Sequence, residues 1–414
     1  MTLTLYCHSQ GVVTLQPVQD TTLYQSSTGA FANGSGDKIF IGRTGGGTGG
    51  TGGGTGGGTG GGTGGGTGGG TGGGTGGGTG GGTGGGTGGG TGGGTGGGTG
   101  GGTGGGTGGG TGGGTGGGTL GDLRRALLRF DLTGALPPGA VIISAQLELF
   151  VDQTSASQPT DATVHRVTAP WLEGSVVAPG AGGGAPAVAG ETTWIHRNYP
   201  NALWANAGGD FVATPSFAFS LPLSGQTLSD PSQGLIADLE SWIANPSSNH
   251  GWLIKTDESQ PATARRCWSR EATSNQPSLT ITYLTPGEAA HYGQPCPVSS
   301  SNNTFDLSLP SGPVVAGSSV GLTYTTGPAN LIGASIFSVG HDPVGIELFP
   351  GCSTYLTTPI IPGNTFTFDA SGMATDAVAI PIGVPSGILA VQGVAIDFTP
   401  VLFTASNAGL IFVP

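Results

Sequence analysis

The sequence predicts an all-β protein of two β-sandwich domains, the first interrupted by a long Thr-Gly-Gly-Gly array. Three observations predict it. Short runs of β-branched and aromatic residues recur between Gly, Pro and Asn breaks, at spacings suited to sandwiches. One segment of the 414 residues has a helical period. Most of the 91 glycines fall in one block, so the remainder keeps a globular composition.

The elements follow in order. Over residues 1–11, Thr2, Thr4 and Tyr6 alternate with Leu3, Leu5 and Cys7, which predicts an N-terminal strand. The same stretch lacks a basic start, a long apolar run and a cleavage site, so it does not read as a signal peptide. Residues 12–43 together with 120–284 form the first sandwich. VVTL and KIFIG are its opening strands, separated by the turn chemistry of TGAFANGSGD. The array occupies 44–119. After it, RRALLRFDL runs into the turn LTGALPPGA. VIISAQLELFV then alternates, with Ile142, Ser144, Gln146 and Glu148 on one face and Val141, Ile143, Ala145, Leu147 and Leu149 on the other. DATVHRV, SFAFSLPL, HGWLIKT and PSLTITYL are further strands. Leu235, Ile236, Leu239, Trp242 and Ile243 share one face of a helix over 232–244, ended by Pro246. Residues 285–295 read as a linker. Residues 296–414 carry strand patterns and no helix, which predicts a second, smaller sandwich.

Charge is sparse and acidic, with 8% charged residues and net −12. Nucleic acid needs a dense basic surface to displace counterions, so it is excluded as a partner. No apolar run is long enough for a transmembrane helix. The polar surface must come from Ser, Thr, Asn, Gln and Gly, a composition that suits an extracellular or cell-surface protein. Of the four cysteines, Cys296 and Cys352 both fall in the second domain and are expected to pair. Cys7 and Cys267 can then pair with each other, or Cys7 can reach a neighbouring subunit. No CxxC or Cys/His cluster suggests zinc.

ANGSGDKIFIGR, RRALLRFDLTGALPPGAVIISAQLEL, VHRVTAPWLEG, ETTWIHR, ALWANAGGDF, NHGWLIK and SREATSNQPSLTITY, in that order, resemble the DNRLRE domain. The resemblance covers about 12–284 apart from the array. It implies a jelly-roll-like β-sandwich from a secreted bacterial protein, in a family related to carbohydrate-binding modules. In that pattern a few residues join the equivalents of IFIGR and RRALLRF. Here the 76-residue array intervenes, so it is an insertion between two strands. Through YGQPCP, FPGC and GILAVQGVAIDF, the second domain more distantly resembles C-terminal β-domains of exported planctomycete-type proteins.

The array has nothing apolar to bury, and fixing each residue costs roughly 1–2 kcal/mol of backbone entropy. In an extended chain a period of four puts the threonines from Thr51 onward on one face, ~13 Å apart, and the short unit before Thr51 puts Thr44 and Thr48 on the other. Glycine on both sides leaves room for a bulky group on each hydroxyl, and the pattern is similar to the glycosylated tetrapeptide repeats of extracellular glycofibrils. The expected O-glycan acceptors are Thr51, Thr55, Thr59, Thr63, Thr67, Thr71, Thr75, Thr79, Thr83, Thr87, Thr91, Thr95, Thr99, Thr103, Thr107, Thr111 and Thr115. The competing reading is a bare, flexible spacer.

No HExxH, GxSxG or P-loop occurs, and the carboxylates are scattered, so an enzyme is not expected. Sugar binding is the alternative function. Trp194, His196, Arg197 and Trp204 are its candidates, against a reading of all four as structural. Arg124, Arg125, Arg265, Arg266 and Arg270 are expected in ion pairs with Asp122, Asp131 or Glu271. A structural Ca²⁺ on loop oxygens would fall on Asp20, Asp37 or Asp210, without EF-hand spacing. The sequence therefore points to a non-enzymatic subunit that self-associates into a fibril or coat, or else to a carbohydrate-binding or adhesive module.

Overall fold

The computed structural model describes residues 10–44, 122–178, 182–299, 303–310, 312–397 and 403–414. The array acceptors from Thr51 to Thr115, Cys7 and residues 1–9 of the N-terminal strand lie outside the described residues.

The first sandwich contains β1 (Gly11–Leu15), β2 (Pro17–Tyr24), β3 (Phe31–Ala32), β4 (Lys38–Arg43), β5 (Leu123–Phe130), β6 (Val141–Thr154), β7 (Thr160–Arg166) and β8 (Ala185–Pro186). It continues with β9 (His196–Asn198), β10 (Ala202–Leu203), β11 (Phe217–Leu221), β12 (Gly225–Leu228), α1 (Gln233–Ala244), β13 (Trp252–Thr256), β14 (Arg265–Trp268) and β15 (Ser278–Leu284). One sheet runs β1-β15-β6-β14-β4, with β12 also on β6. The other holds β2, β5, β13, β7 and β11. Strand β4 belongs to both. Lys38–Ile41 pair with β14, while Gly42 and Arg43 pair with Arg124 and Leu123 of β5. Gly42 makes that corner at φ +107, and a Cβ there would lie 2.5 Å from the Thr263 carbonyl oxygen. Only glycine fits both demands.

The core between the sheets holds Ile39, Ile41, Ala126, Leu128, Phe130, Leu147, Leu149, Val151 and Trp252. Helix α1 adds Leu235, Ile236, Leu239 and Trp242 to it. Trp242 and Trp252 rings meet at 4.8 Å. Ile243, expected on this face, is instead 40% exposed. Asp238 is buried beside the apolar stripe and accepts hydrogen bonds from Trp252 Nε1 (2.8 Å) and Ser216 Oγ (2.5 Å).

The expected alternation of β6 breaks at one point. Thr282 pairs with Ser144 and Tyr283 with Ile142, so Ile143 is an extra residue in the ladder, a β-bulge. The bulge reverses the facing of the strand end. Ile142 joins the core, and Ile143 turns out toward the second domain.

The second domain contains β16 (Ala289–Tyr292), β17 (Asp306–Ser308), β18 (Ser319–Thr325), β19 (Ile332–Ser338), β20 (His341–Phe349), β21 (Cys352–Leu356), β22 (Ile361–Thr367), β23 (Ala374–Ala379), β24 (Gly387–Ile396) and β25 (Phe403–Val413). A five-stranded sheet, β16-β25-β24-β19-β22, and a three-stranded sheet, β17-β18-β23, enclose Phe305, Tyr324, Phe368 and Val391. The segment 285–295, expected as a linker, contributes β16 to this sandwich by pairing with β25. Cys296 and Cys352 form a disulfide that fastens the β20–β21 hairpin to the larger sheet. Cys267 is a free, fully buried thiol in the first core, pushed up to about 12 by burial. The two sandwiches meet through Ile143, Leu284, Ala290, Leu356, Leu410 and Phe412.

Candidate functional site

The array lies between β4 and β5, and the structure defines its root. Thr44 N donates to Asp122 O at 3.0 Å, one residue beyond the Arg43–Leu123 rung of β4 and β5. The two ends of the insertion are thus held side by side. Polar contacts brace this point from several directions. Arg43 N donates to Thr263 Oγ1 (2.9 Å) and Arg43 Nε to Glu258 O (2.7 Å). Leu123 N donates to Gln25 Oε1 (2.9 Å), and Gln25 N donates back to Leu123 O (3.0 Å).

Behind the root, Arg125 makes a two-pronged bond to Glu258. Its Nε lies 2.6 Å from Oε1 and its Nη2 lies 2.8 Å from Oε2. Arg125 Nη1 also donates to Gly208 O (2.6 Å), and the guanidinium stacks at 4.8 Å over Trp194. Burial opposes the ionised form of Glu258, but the hydrogen bonds and charge of Arg125, with Lys255, bring its carboxyl below the usual range. Of the ion pairs expected from the sequence, Arg124 approaches Asp122 at 4.0 Å and Arg270 approaches Glu271 at 2.9 Å. Arg266 pairs with Asp152 instead. Arg265 is fully buried and donates to the carbonyls of Pro222, Gln158 and Thr263. Asp131 accepts from Thr133 N at the turn after β5.

The candidate sugar residues come together, but as a second core. Strand β5 alternates, so Ala126, Leu128 and Phe130 face the sandwich interior while Leu123 and Leu127 face outward. The excursion between β7 and β11 covers that outer face with Trp171, Trp194 and Trp204, which are 5%, 7% and 5% exposed. Trp204 Nε1 donates to Thr193 O (3.0 Å), and His196 Nδ1 bonds Thr193 Oγ1 (3.1 Å). Burial holds His196 below the ordinary histidine range. Arg197 is half-buried, with Nη1 donating to Pro170 O (3.3 Å). Trp194 and Trp204 are therefore buried, and neither turns a ring face to solvent. Trp268 is the partly exposed tryptophan, and Lys38 Nζ sits 3.2 Å over its ring.

The three calcium candidates separate clearly. Asp37 is an exposed partner of Lys38. Asp210 caps the amides of Ala205 and Asn206 with both oxygens. Asp20 is buried, and its carboxylate shares a cluster with Glu173 and Glu271, whose ligand oxygens all lie within 4.8 Å of one another. Arg270 is the countercharge there. It binds Glu173 through Nε (2.6 Å) and Nη2 (2.8 Å), and its backbone N donates to Asp20 Oδ2 (2.7 Å). The same Arg270 Nε lies 2.9 Å from Glu271 Oε1. Burial, then the Glu271 and Glu173 charges, push Asp20 well above the usual carboxylate range. Such a group of oxygens can take up a proton or a hard cation. The sequence pointed to Asp20 alone. Glu173 and Glu271 lie 153 and 251 positions away in the chain, and only the sheet topology brings them in.

No family model matches the chain, and no curated protein matches it. Among solved structures, the N-terminal CBM22-1-CBM22-2 tandem domain of Paenibacillus barcinonensis Xyn10C is similar over 72% of this chain and 89% of that chain. The identity is 11% and the TM-score 0.14.

Proposed function

We propose that this chain is a non-enzymatic extracellular structural protein, a subunit of a fibril or surface coat, whose first sandwich anchors an O-glycosylated Thr-Gly-Gly-Gly array. The observation that carries this reading is the hydrogen bond from Thr44 N to Asp122 O. It makes the insertion leave and return at one braced point, so the sandwich presents a loop instead of connecting two domains. The array offers only threonine hydroxyls for chemistry, and sugars on them would supply the contacts that Gly-rich sequence lacks. Self-association of many copies would turn one presented loop into a coat. Burial of Trp194 and Trp204 weighs against the alternative, a carbohydrate-binding or adhesive module.

Intact-mass and peptide mapping of native material test the reading. The expected result is a mass above the 40.1 kDa polypeptide by hexose or pentose increments on array peptides. A mass equal to the bare polypeptide overturns it. Negative-stain images should show filaments or sheets. Dispersed monomers would count against assembly.

A further inference from the structure

We propose that β1 is a self-pairing edge: it adds, antiparallel, to β1 of a second copy of this chain and joins two first sandwiches through one continuous sheet. This names the contact behind the self-association of the proposed function and rests on that part of the reading, not on the glycans.

Strand β1 closes the sheet β1-β15-β6-β14-β4 on one side. Its register with β15 is regular from Gly11↔Tyr283 to Leu15↔Leu279. In such a ladder every second residue turns its N–H and C=O away from the neighbouring strand. Among the described residues no strand pairs with that outer side of β1. The side chains alternate as well. Val13 and Leu15 turn inward onto the core. Val12 is 60% exposed, and exposed Thr14 places its Oγ1 3.1 Å from Thr280 Oγ1. At the start of the strand, Gln10 Nε2 donates to His291 O (3.0 Å), which ties this end of β1 to the second sandwich.

Open edges invite pairing with another chain, and folded proteins blunt them with proline, a bulge, a charge or a covering group. Strand β2 begins at Pro17, has an irregular register before Gln19, and binds Glu173 through Asp20 N. On β11 the Thr227 hydroxyl donates to Ser220 O (2.7 Å). On β21 the side chain of Gln392 bonds both Ser353 O and Tyr355 N. Strand β22 carries Pro362 and Gly363 beside a register shift. The sequence of β1, GVVTL, holds no proline and no charge, and its ladder has no bulge.

Backbone chemistry, symmetry and charge select the occupant. An open strand edge is completed by another strand. A second copy supplies one, because an antiparallel strand can pair with itself across a twofold axis, with the same patch on both partners. Centred on Val13, the pairing sets Val13 against Val13 of the second copy and Val12 against Thr14 of the second copy. These are β-branched cross-strand pairs, which stabilise sheets. Charge favours the same place. The chain carries net −12, so two copies repel one another, yet neither GVVTL nor the SLTITYL of β15 contains a charged residue.

Sedimentation of the full chain across a dilution series, with hydrogen exchange over residues 11–15, tests the pairing. The mass should rise with concentration to at least twice the monomer, and amide protection in β1 should rise with it. Val12→Lys/Thr14→Lys alters two exposed side chains and sets lysine against lysine across the contact. It should stay monomeric with its melting temperature unchanged. Should the double substitution lower the melting temperature, Val12→Lys alone serves, and it should weaken association in the same direction. A chain lacking residues 1–9 should associate as the full chain does. The pairing is overturned if the lysine variants associate like the wild type, or if the wild type stays monomeric. It is also overturned if β1 is protected at every dilution and loses that protection when residues 1–9 are removed, since the occupant is then the chain's own N-terminal segment. Filaments of the lysine variant in negative stain would reject the edge contact and leave the coat reading standing. A wild type that neither dimerises nor forms filaments rejects both.

Discussion

Thr44 and Asp122 stand 78 positions apart in the chain, yet the amide of one donates to the carbonyl of the other at 3.0 Å. That bond holds the two ends of the insertion together on a single sandwich. Its consequence for stability is direct. A loop of this length carries a closure entropy that grows with its length, about 0.6 kcal/mol per doubling. Replacing 45–121 with a four-residue Gly-containing turn should leave the fold intact and raise its stability by about 2.6 kcal/mol. Urea denaturation of the shortened chain checks this. A loss of stability would mean that the array contributes contacts of its own to the sandwich.

The Arg125–Glu258 pair behind the root should dominate local stability. Arg125 is 11% exposed and Glu258 19%, and both prongs are shorter than 3 Å. Arg125→Ala leaves the Glu258 carboxylate and the Gly208 carbonyl without their donor, and should cost about 3–5 kcal/mol. Glu258→Gln, which keeps an oxygen acceptor, should cost less. Because the folded state lowers the Glu258 carboxyl below its ordinary 4.5, this contribution is present above 4.5 and is lost as acid titrates the folded carboxyl. Comparing urea midpoints of wild type and Arg125→Ala across that range should show the difference shrinking in acid.

The buried carboxylate of Asp20 predicts the opposite sign. Its folded value is raised, so the native state holds protons more tightly than the unfolded chain. The ionised form is therefore a burden at neutral pH that fades as pH falls toward the unfolded value of 3.8. Asp20→Asn keeps an oxygen to accept from Arg270 N while removing repulsion with Glu173 and Glu271. It should raise the melting temperature at pH near 7, with the gain disappearing toward pH 4. If a bound cation already neutralises the cluster, the substitution lowers the melting temperature instead, and added Ca²⁺ ceases to stabilise the variant.

These sites differ in how far the sequence revealed them. The strands that follow the array were legible because Ala145, Leu147, Leu149 and Val151 alternate with polar residues over a long run. The helix was legible because Leu235, Leu239 and Trp242 repeat at its period. The bulge at Ile143 was not, since it exists only relative to Thr282 and Tyr283 on another strand. The tryptophans were ambiguous for a related reason. Trp171, Trp194 and Trp204 sit in irregular chain with no period to assign a face, and they are buried because sheet β2-β5-β13-β7-β11 presents Leu23, Leu127 and Leu253 outward. The Asp20 cluster gathers residues from three distant segments, and no spacing rule joins them. The hydrogen-bonded root was half legible: an insertion between adjacent strands implies neighbouring ends, but not which groups close them.

The Cys296–Cys352 disulfide gives the last prediction, and it separates the two domains. Its sequence separation is 56, and in the chain-entropy picture a loop of that size stabilises the fold by roughly 4 kcal/mol. The hairpin it fastens leaves Val344, Ile346 and Leu348 exposed, and Phe349 meets Phe403 of β25 edge-on at 5.6 Å. Gln392 supports the same junction from within. It is fully buried, donating from Nε2 to Ser353 O (3.0 Å) and Ser406 O (2.6 Å) while accepting from Tyr355 N (3.2 Å). Loss of the disulfide should therefore loosen β20 and β21 before the sheet beneath them. In a Cys296→Ala/Cys352→Ala variant, hydrogen exchange should quicken first over residues 341–356 and leave β5, β6 and β13 of the first sandwich unchanged. Equal loss of protection in both sandwiches would show that the hairpin is not a separate unit, and that its stability is shared through the apolar cluster that holds Ile143 and Leu356.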